Sequence, residues 1–551
     1  MFPPPEPAPQ TQYNSAQKRI LLLIIKKSGE KVNTKKGGKA ALSSSQILRI
    51  FVCCHGALRR ARFRFRLRRR RGFRTVCGFC LRGIEHRQRL GICFAGRRKP
   101  VRFLERLYGT LVTLAIPIAL QNAVTFAVGL ADNVMIGTLG DSAISGVYVG
   151  SQLQTLLQMF IGGIEGAILI LAAQYWGKRD TKSIRRIAAI GVRFALLIGL
   201  VITVTAFLLP SQIVSLFTSD ASVIESGTVY VRVVSLSYIF FCISQVMVAT
   251  MRAVETAKIG LYVSFVTLIV NVICNYILIF GKLGFPALGV TGAAVATLFS
   301  RIIEAAVMVV YVRCIDKKLK LRFADLLKRG GELTRDFLRY GLPIMGGQVV
   351  WSVNMLGQTM ILGRYDAGVI AAVSIANMLH NMMYIAMNGL SSAVGIITGK
   401  TVGSGRMDKI REYSRTTQVI FLGLGILSGI AVHFLRDPFI GLYGASDAAV
   451  AYAREFINVI SVTIIGTCYQ AACLFGLVKS GGDISFVFRN DTIFVFLVVL
   501  PSAIIASYLG APPWVVFACL KCDQILKCFV AVVKINRYNW MKNLTRETNE
   551  V

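Results

Sequence analysis

Residues 111–140 read LVTLAIPIALQNAVTFAVGLADNVMIGTLG. Up to residue 138 the stretch is apolar, with one charge, Asp132, and one proline, Pro117. At about 1.5 Å per residue a helix of this length crosses a hydrocarbon core of about 30 Å. Eleven further runs of this kind follow, at 152–176, 184–209, 226–251, 259–281, 288–312, 337–362, 370–399, 413–435, 450–478, 492–509 and 514–535. The run at 492–509 is short, and Phe486–Phe488 suggest an earlier start. The sequence therefore predicts an all-α membrane protein of twelve transmembrane helices. Composition agrees: only 16% of the 551 residues are charged, against about 25% in soluble domains, and mean hydropathy is +0.59.

The loops test the count. Lys and Arg stay on the cytoplasmic side of a membrane protein. One alternating set of loops carries 27 of them, and the other set only Lys282, Arg364 and Arg436. A missed or false helix would scramble this alternation. It places both termini in the cytoplasm, and the expected location is the cytoplasmic membrane.

The chain also repeats internally. A shift of 226 residues superposes Pro117 on Pro343, Gly137 on Gly363, Gly163 on Gly389, Ala167 on Ala393, Gly177 on Gly403 and Arg185 on Arg411. The shift spans six helices, so the halves share one orientation. Two six-helix lobes related by a pseudo-two-fold axis along the membrane normal follow, with a site between them near the midplane. The first lobe is expected at 101–313, a cytoplasmic connection at 314–336 and the second lobe at 337–551. That geometry belongs to alternating-access transporters.

Residues 1–100 differ. They hold 25 Lys and Arg against 3 acids, including RFRFRLRRRR at Arg62–Arg71. Clustered Arg attracts phosphate, whether of nucleic acid or anionic lipid. Cys77, Cys80, His86 and Cys93 fit no standard zinc module. The stretch reads as a disordered basic leader or as upstream DNA translated in frame, with a true start near Val101. Met is absent between Met1 and Met135.

Ionisable groups inside lipid are functional candidates. Asp132 lies about six residues from the outer end of the first helix, placed to hold a proton, a sodium ion or a cation. The bland reading is a helix-end carboxylate reaching water. Glu165 in the second helix and Arg193 in the third sit at similar depth and are expected to pair, with a proton-relay role for Glu165 as the alternative. Arg301 with Glu304, and Asp523 with Lys527, are helical neighbours expected to neutralise each other. His380 titrates near neutrality or is a packing residue. Asn271 and Asn275 share a helix face. Their amides suit interhelical hydrogen bonding or, with a hydroxyl such as Thr297, coordination of a hard cation. No Walker A, GxSxG or HExxH pattern occurs, so no enzyme or ATP-driven pump is expected. No cofactor and no resident metal are expected either.

The segments PIALQNAV, GLADNVMIGTLG, AAQYWGKRD, GVTGAAVAT and YGLP, in that order, resemble the multidrug and toxic compound extrusion (MATE) family over about 105–545. The resemblance implies a monomeric antiporter exporting small organic cations in exchange for protons or sodium. It maps the family's first-helix carboxylate onto Asp132 and its bending proline onto Pro117, with Pro343 as the repeat mate. It implies a possible sodium site at Asp132, Asn271 and Thr297, but Asn275 stands where an Asp is expected. A second family site, acidic in helices 7 and 8, is missing here, and Glu165 lies outside the pattern. Partners are organic cations and membrane lipid, with no nucleic acid for the body. The alternative is a flippase for a lipid-linked or cell-envelope precursor. A non-transporting receptor or scaffold would leave the repeat and buried charges unexplained.

Overall fold

The computed structural model describes residues 98–322, 324–325, 331–443 and 446–546. The basic leader, apart from its last three residues, and its Cys77, Cys80, His86 and Cys93 lie outside the described residues.

Helices follow one another without a strand among the described residues. The first lobe contains α1 (Arg98–Gly137), α2 (Asp141–Lys178), α3 (Thr181–Leu208), a short α4 (Pro210–Ser215), α5 (Ala221–Val234), α6 (Ser237–Ala253), α7 (Lys258–Phe280) and α8 (Gly289–Val310). The second contains α9 (Glu332–Leu362), α10 (Ala367–Gly403), α11 (Met407–Ile440), α12 (Asp447–Gln470, continuing through Ala471–Lys479), α13 (Ile484–Phe494), α14 (Leu500–Tyr508), α15 (Pro513–Lys521) and α16 (Asp523–Asn536). α5 and α6 form one span bent by 52°. α13 runs into α14 through Val495–Val499, and α15 meets α16 at Cys522. Each of the twelve apolar runs thus has its helix or helix pair.

Among the described residues nine helices are long and apolar enough to cross a membrane, and the bent pair makes ten. The other two spans, α9 and α15–α16, are more polar for an internal reason. Their Asn354, Gln358, Lys521, Asp523 and Lys527 are buried inside the lobe rather than turned to lipid. The outer surface is apolar instead, with Val201, Leu208, Val419, Phe434 and Leu497 exposed, which suits a lipid solvent and not water.

Short polar residues start several helices. Asp180, Asp220, Asp366 and Ser446 accept hydrogen bonds from the first free backbone N–H groups of α3, α5, α10 and α12. Gly281, at φ 65°, closes α7 in the left-handed conformation that glycine adopts freely.

The lobes meet along α1 and α2 against α9 and α10. They come closest at the face that carries the basic loops, and the contact is itself two-fold. A Cβ on Gly177 would stand 2.0 Å from the Lys400 carbonyl oxygen, and one on Gly403 would stand 1.8 Å from that of Gln174. Gly177 and Gly403 are repeat mates, as are Gln174 and Lys400. Each glycine admits the partner helix's backbone, as a self-complementary interface requires.

Polar bonds fasten the same face. Lys400 Nζ pairs with Glu255 at 2.7 Å. Gln174 Nε2 donates to the Lys542 and Ser480 carbonyls (3.3 and 3.4 Å), and its Oε1 accepts from Leu544 N at 2.7 Å. Arg546 reaches Asp336 at 2.6 Å and Glu332 at 2.8 Å. The hydrogen bonds that Arg546 donates to the Asp336 carboxylate hold its guanidinium above its ordinary value. Asp483 accepts from Lys534 (2.7 Å) and Lys542 (2.9 Å). Burial alone would raise its carboxyl, but the two ammonium groups outweigh that and hold it below the ordinary range. Residues 537–546 therefore cross the seam as a strap. Among the described residues, interlobe hydrogen bonds lie at this face except Ser352 to Met159.

Candidate functional site

α7 packs along α1, and the spacing of Asn271 and Asn275 turns both amides toward it. Asn275 Nδ2 donates to Asp132 Oδ1 at 2.5 Å and to Asn271 Oδ1 at 3.3 Å. Both amides are buried, whereas Asp132 is half-buried. Asn275 Oδ1 has no hydrogen-bond partner, so one acceptor faces the carboxylate's surroundings unsatisfied. The structure thus brings together Asp132, Asn271 and Asn275. Thr297, on α8, is half-buried and makes no side-chain hydrogen bond to this group among the described residues.

Asp132 has no basic partner at a helical spacing, and its close contact across the fold is the Asn275 amide. Arg301 of α8 acts on Asp132, and Tyr230 of α5 lies within reach of both charges. Arg301 is itself paired, its Nη1 standing 2.6 Å from Glu304 Oε2. Glu304 Oε1 accepts from Ser244 (3.1 Å) and Gln245 (3.2 Å). Of the expected pairs, Arg301–Glu304 forms as the i, i+3 spacing requires.

The Glu165–Arg193 pair does not form. The charges acting on Glu165 are Arg252 of α6 and Glu304, whereas Arg193 is exposed on α3. The physical reason is rotation rather than depth: the two residues lie at similar heights but on faces of α2 and α3 that do not meet. Arg252 Nη2 also donates to Gln121 Oε1 of α1 at 2.8 Å, and Gln121 is buried. The interior of the first lobe therefore holds Asp132, Arg301, Glu304, Glu165 and Arg252, with Arg301 and Glu304 in direct contact. Arg252 and Gln121 carry no sequence signal, because Arg252 reads as a loop cation and Gln121 as one polar residue in an apolar run.

In the second lobe, Lys527 binds Asp523 at 2.9 Å, as expected, and also Asp491 at 3.0 Å. Asp491 falls one residue before the apolar run at 492–509, and α13 takes it into the membrane by starting at Ile484. Lys521 Nζ donates to Gln358 Oε1 at 3.2 Å. His380 stacks on Tyr384 with centroids 6.1 Å apart and lies within Coulombic reach of Lys521. Pro117 and Pro343 sit inside α1 and α9, and neither helix breaks there.

The family model described as MatE matches residues 117–277 and 343–511, more than half of the chain. The chain belongs to the MatE family. The two matches begin at Pro117 and Pro343, the 226-residue offset of the internal repeat, one match per lobe. As a MatE protein it is a multi-pass integral membrane protein. It is 24% identical over 76% of its length to a probable multidrug resistance protein NorM of Halalkalibacterium halodurans, covering 91% of that relative. It is 25% identical over 64% of its length to a probable NorM of Thermotoga maritima, covering 75% of it. Among solved structures it is similar to an outward-facing multidrug resistance MATE transporter (TM-score 0.70, 17% identity, 78% of this chain and 96% of that one). It is also similar to the eukaryotic MATE transporter AtDTX14 (TM-score 0.69, 18% identity, 80% and 97%). The shared fold carries twelve helices in two lobes.

Proposed function

We propose that this MatE protein is a secondary multidrug exporter of organic cations, coupled to protons through Asp132, in the cytoplasmic membrane with its basic face inward. The single observation that carries the reading is the Asp132–Asn275 contact at 2.5 Å, backed by buried Asn271. A half-buried carboxylate held by neutral amides exchanges a proton for an arriving cation, because both need the same oxygens. The names of the relatives, multidrug resistance proteins, support export, and none of those reported above points to a precursor flippase.

Protons are favoured over sodium on the residues present. A sodium site needs several converging oxygens. Here Asn275 turns its N–H2 toward the carboxylate, Thr297 is not joined to the group, and the Arg301 guanidinium acts on Asp132. The basic loops, with 27 Lys and Arg on one side, support an inward basic face.

The test is ethidium efflux from cells expressing the full chain, with and without sodium, for wild type and Asp132→Asn. Sodium-independent efflux by wild type that Asp132→Asn loses supports the reading. A sodium requirement at fixed pH gradient and membrane potential overturns the choice of ion.

A further inference from the structure

α12 carries Glu455, Asn458 and Val462 at helical spacing, so the three share one face. α15 and α16 set Trp514, Cys522 and Leu526 against that face, and between them lies a groove of about 640 Å³. Among the described residues none of its lining comes from α9 or α10, the helices that meet the first lobe. Val462, Trp514 and Leu526 are exposed, so the groove opens outward, where the solvent is lipid. From Trp514 to Leu526 it runs about 18 Å at about 1.5 Å per residue. That is close to the depth of one leaflet in a hydrocarbon core about 30 Å thick.

The mouth lies at the ends of these spans away from the basic loops. α12 and α15 begin there, at Asp447 and Pro513, and α11 ends there, at Ile440. Arg436 Nη1 donates to Asn458 Oδ1 at 2.7 Å, which fixes a guanidinium on the groove's own lining. Arg436 also binds Asp437 at 2.8 Å, and Arg454 binds the same carboxylate at 3.0 Å. Two cations share one acid, which leaves one positive charge in excess. Glu455, three residues before Asn458 on the same lining, is exposed and makes no ion pair among the described residues. A carboxylate facing lipid without a partner is costly. The mouth is therefore bipolar: a guanidinium surplus beside an unpaired carboxylate, above an apolar slot. Trp514 at its rim is the kind of residue that membrane interfaces collect.

We propose that this groove binds one phospholipid from the leaflet opposite the basic face, selected for a zwitterionic headgroup with a primary ammonium. One acyl chain lies along α15 and α16 as far as Leu526. The phosphate takes the surplus charge of Arg436 and Arg454, and the ammonium donates to Glu455. A choline headgroup carries the same charges but has no N–H to donate, so it binds more weakly. A headgroup with negative charge alone leaves Glu455 unpaired. The bound chain covers Cys522, where α15 passes into α16 beside the buried Lys521 and Asp523, and so braces the broken span. The site takes a lipid rather than the cargo and is independent of the coupling ion.

Brominated acyl chains quench tryptophan fluorescence on contact, and this tests the site. The full chain is reconstituted in phosphatidylcholine vesicles that contain either brominated phosphatidylethanolamine or brominated phosphatidylcholine. The Trp514 signal is the difference between wild type and Trp514→Phe. Wild type is expected to prefer phosphatidylethanolamine by about tenfold in apparent affinity, the worth of one charge-assisted hydrogen bond. Glu455→Gln should bring the two lipids level, and Glu455→Asp should keep most of the preference; Glu455 is exposed, so both variants should fold. Val462→Phe, which narrows the slot, should weaken quenching by both lipids. Equal quenching by the two lipids in wild type, an unchanged preference in Glu455→Gln or unchanged quenching in Val462→Phe overturns the site. Absence of quenching by either lipid means that protein covers the groove, and also overturns it. Displacement of the brominated lipid by tetraphenylphosphonium, an organic cation, assigns the groove to cargo and overturns the lipid site while leaving the exporter standing.

Discussion

Gly403 gives the sharpest handle on the seam. A methyl group there meets the Gln174 carbonyl oxygen at 1.8 Å, whereas ordinary contact begins at 3.4 Å. The obstacle is backbone, so no side chain can rotate away. α2 and α10 must separate by about 1.6 Å at the basic face, which also strains the reciprocal contact of Gly177 with Lys400. Overpacking of this kind costs about 1–3 kcal/mol. The penalty falls only on the state in which the lobes touch here, so it transfers to the conformational equilibrium. Gly403→Ala is therefore expected to shift the closed-to-open ratio of the basic face by roughly 5- to 150-fold. Spin labels at Lys182 and Asp408, both exposed at this face, report the separation by pulsed dipolar spectroscopy. A longer and broader distance distribution than wild type is expected. Gly423→Ala, where nothing lies within 4 Å, is the control and should leave the distribution unchanged. A wild-type distribution in Gly403→Ala would refute the close-packed seam.

Other consequences are as direct. Asn275→Asp places a second carboxylate against Asp132 and is expected to make efflux respond to sodium, measured as transport rate against sodium concentration at fixed pH. Arg252→Gln removes the cation acting on Glu165 and is expected to cost about 2 kcal/mol of stability; a thermal melt in detergent reads it, and adding Glu165→Gln should recover at least half. Asp483→Asn releases Lys534 and Lys542 and should speed hydrogen exchange across residues 537–546. In the wild type the Asp483 carboxyl is held low, so its contribution is complete above the ordinary carboxylate range and is lost only as pH falls through the lowered value. Protection of the strap, corrected for intrinsic exchange, should then be flat from about pH 8 to about pH 5.

The twelve spans and the two-fold repeat were legible because each rests on long runs or on one offset held without a gap. Even the glycine contact was implicit in the superposition of Gly177 on Gly403, although its meaning needed coordinates. Pairs within one helix, Arg301–Glu304 and Asp523–Lys527, were legible for the same reason: spacing alone sets the geometry. Contacts between helices were not. Glu165 and Arg193 matched in depth, yet depth says nothing about helix rotation, and the cation that meets Glu165 comes from Arg252, at the end of a span where basic residues are ordinary. Asp491 went unread because it falls just outside the apolar run at 492–509, although Phe486–Phe488 pointed to the earlier start that α13 has. The Asp132–Asn275 contact joins α1 to α7, and the chain offers only a shared amide face on α7 as a hint.

Reconstituted transport tests the central claim most directly. Proteoliposomes holding wild type or Asp132→Asn are given an inward- or outward-directed pH gradient at clamped membrane potential, without sodium, and ethidium movement is recorded together with internal pH. Wild type should move ethidium and protons in opposite directions, with transport driven by the gradient. Asp132→Asn should insert and fold, yet show no proton movement and no gradient-driven transport. Proton-coupled ethidium transport at the wild-type rate by Asp132→Asn would contradict the account and move the coupling carboxylate to Glu165.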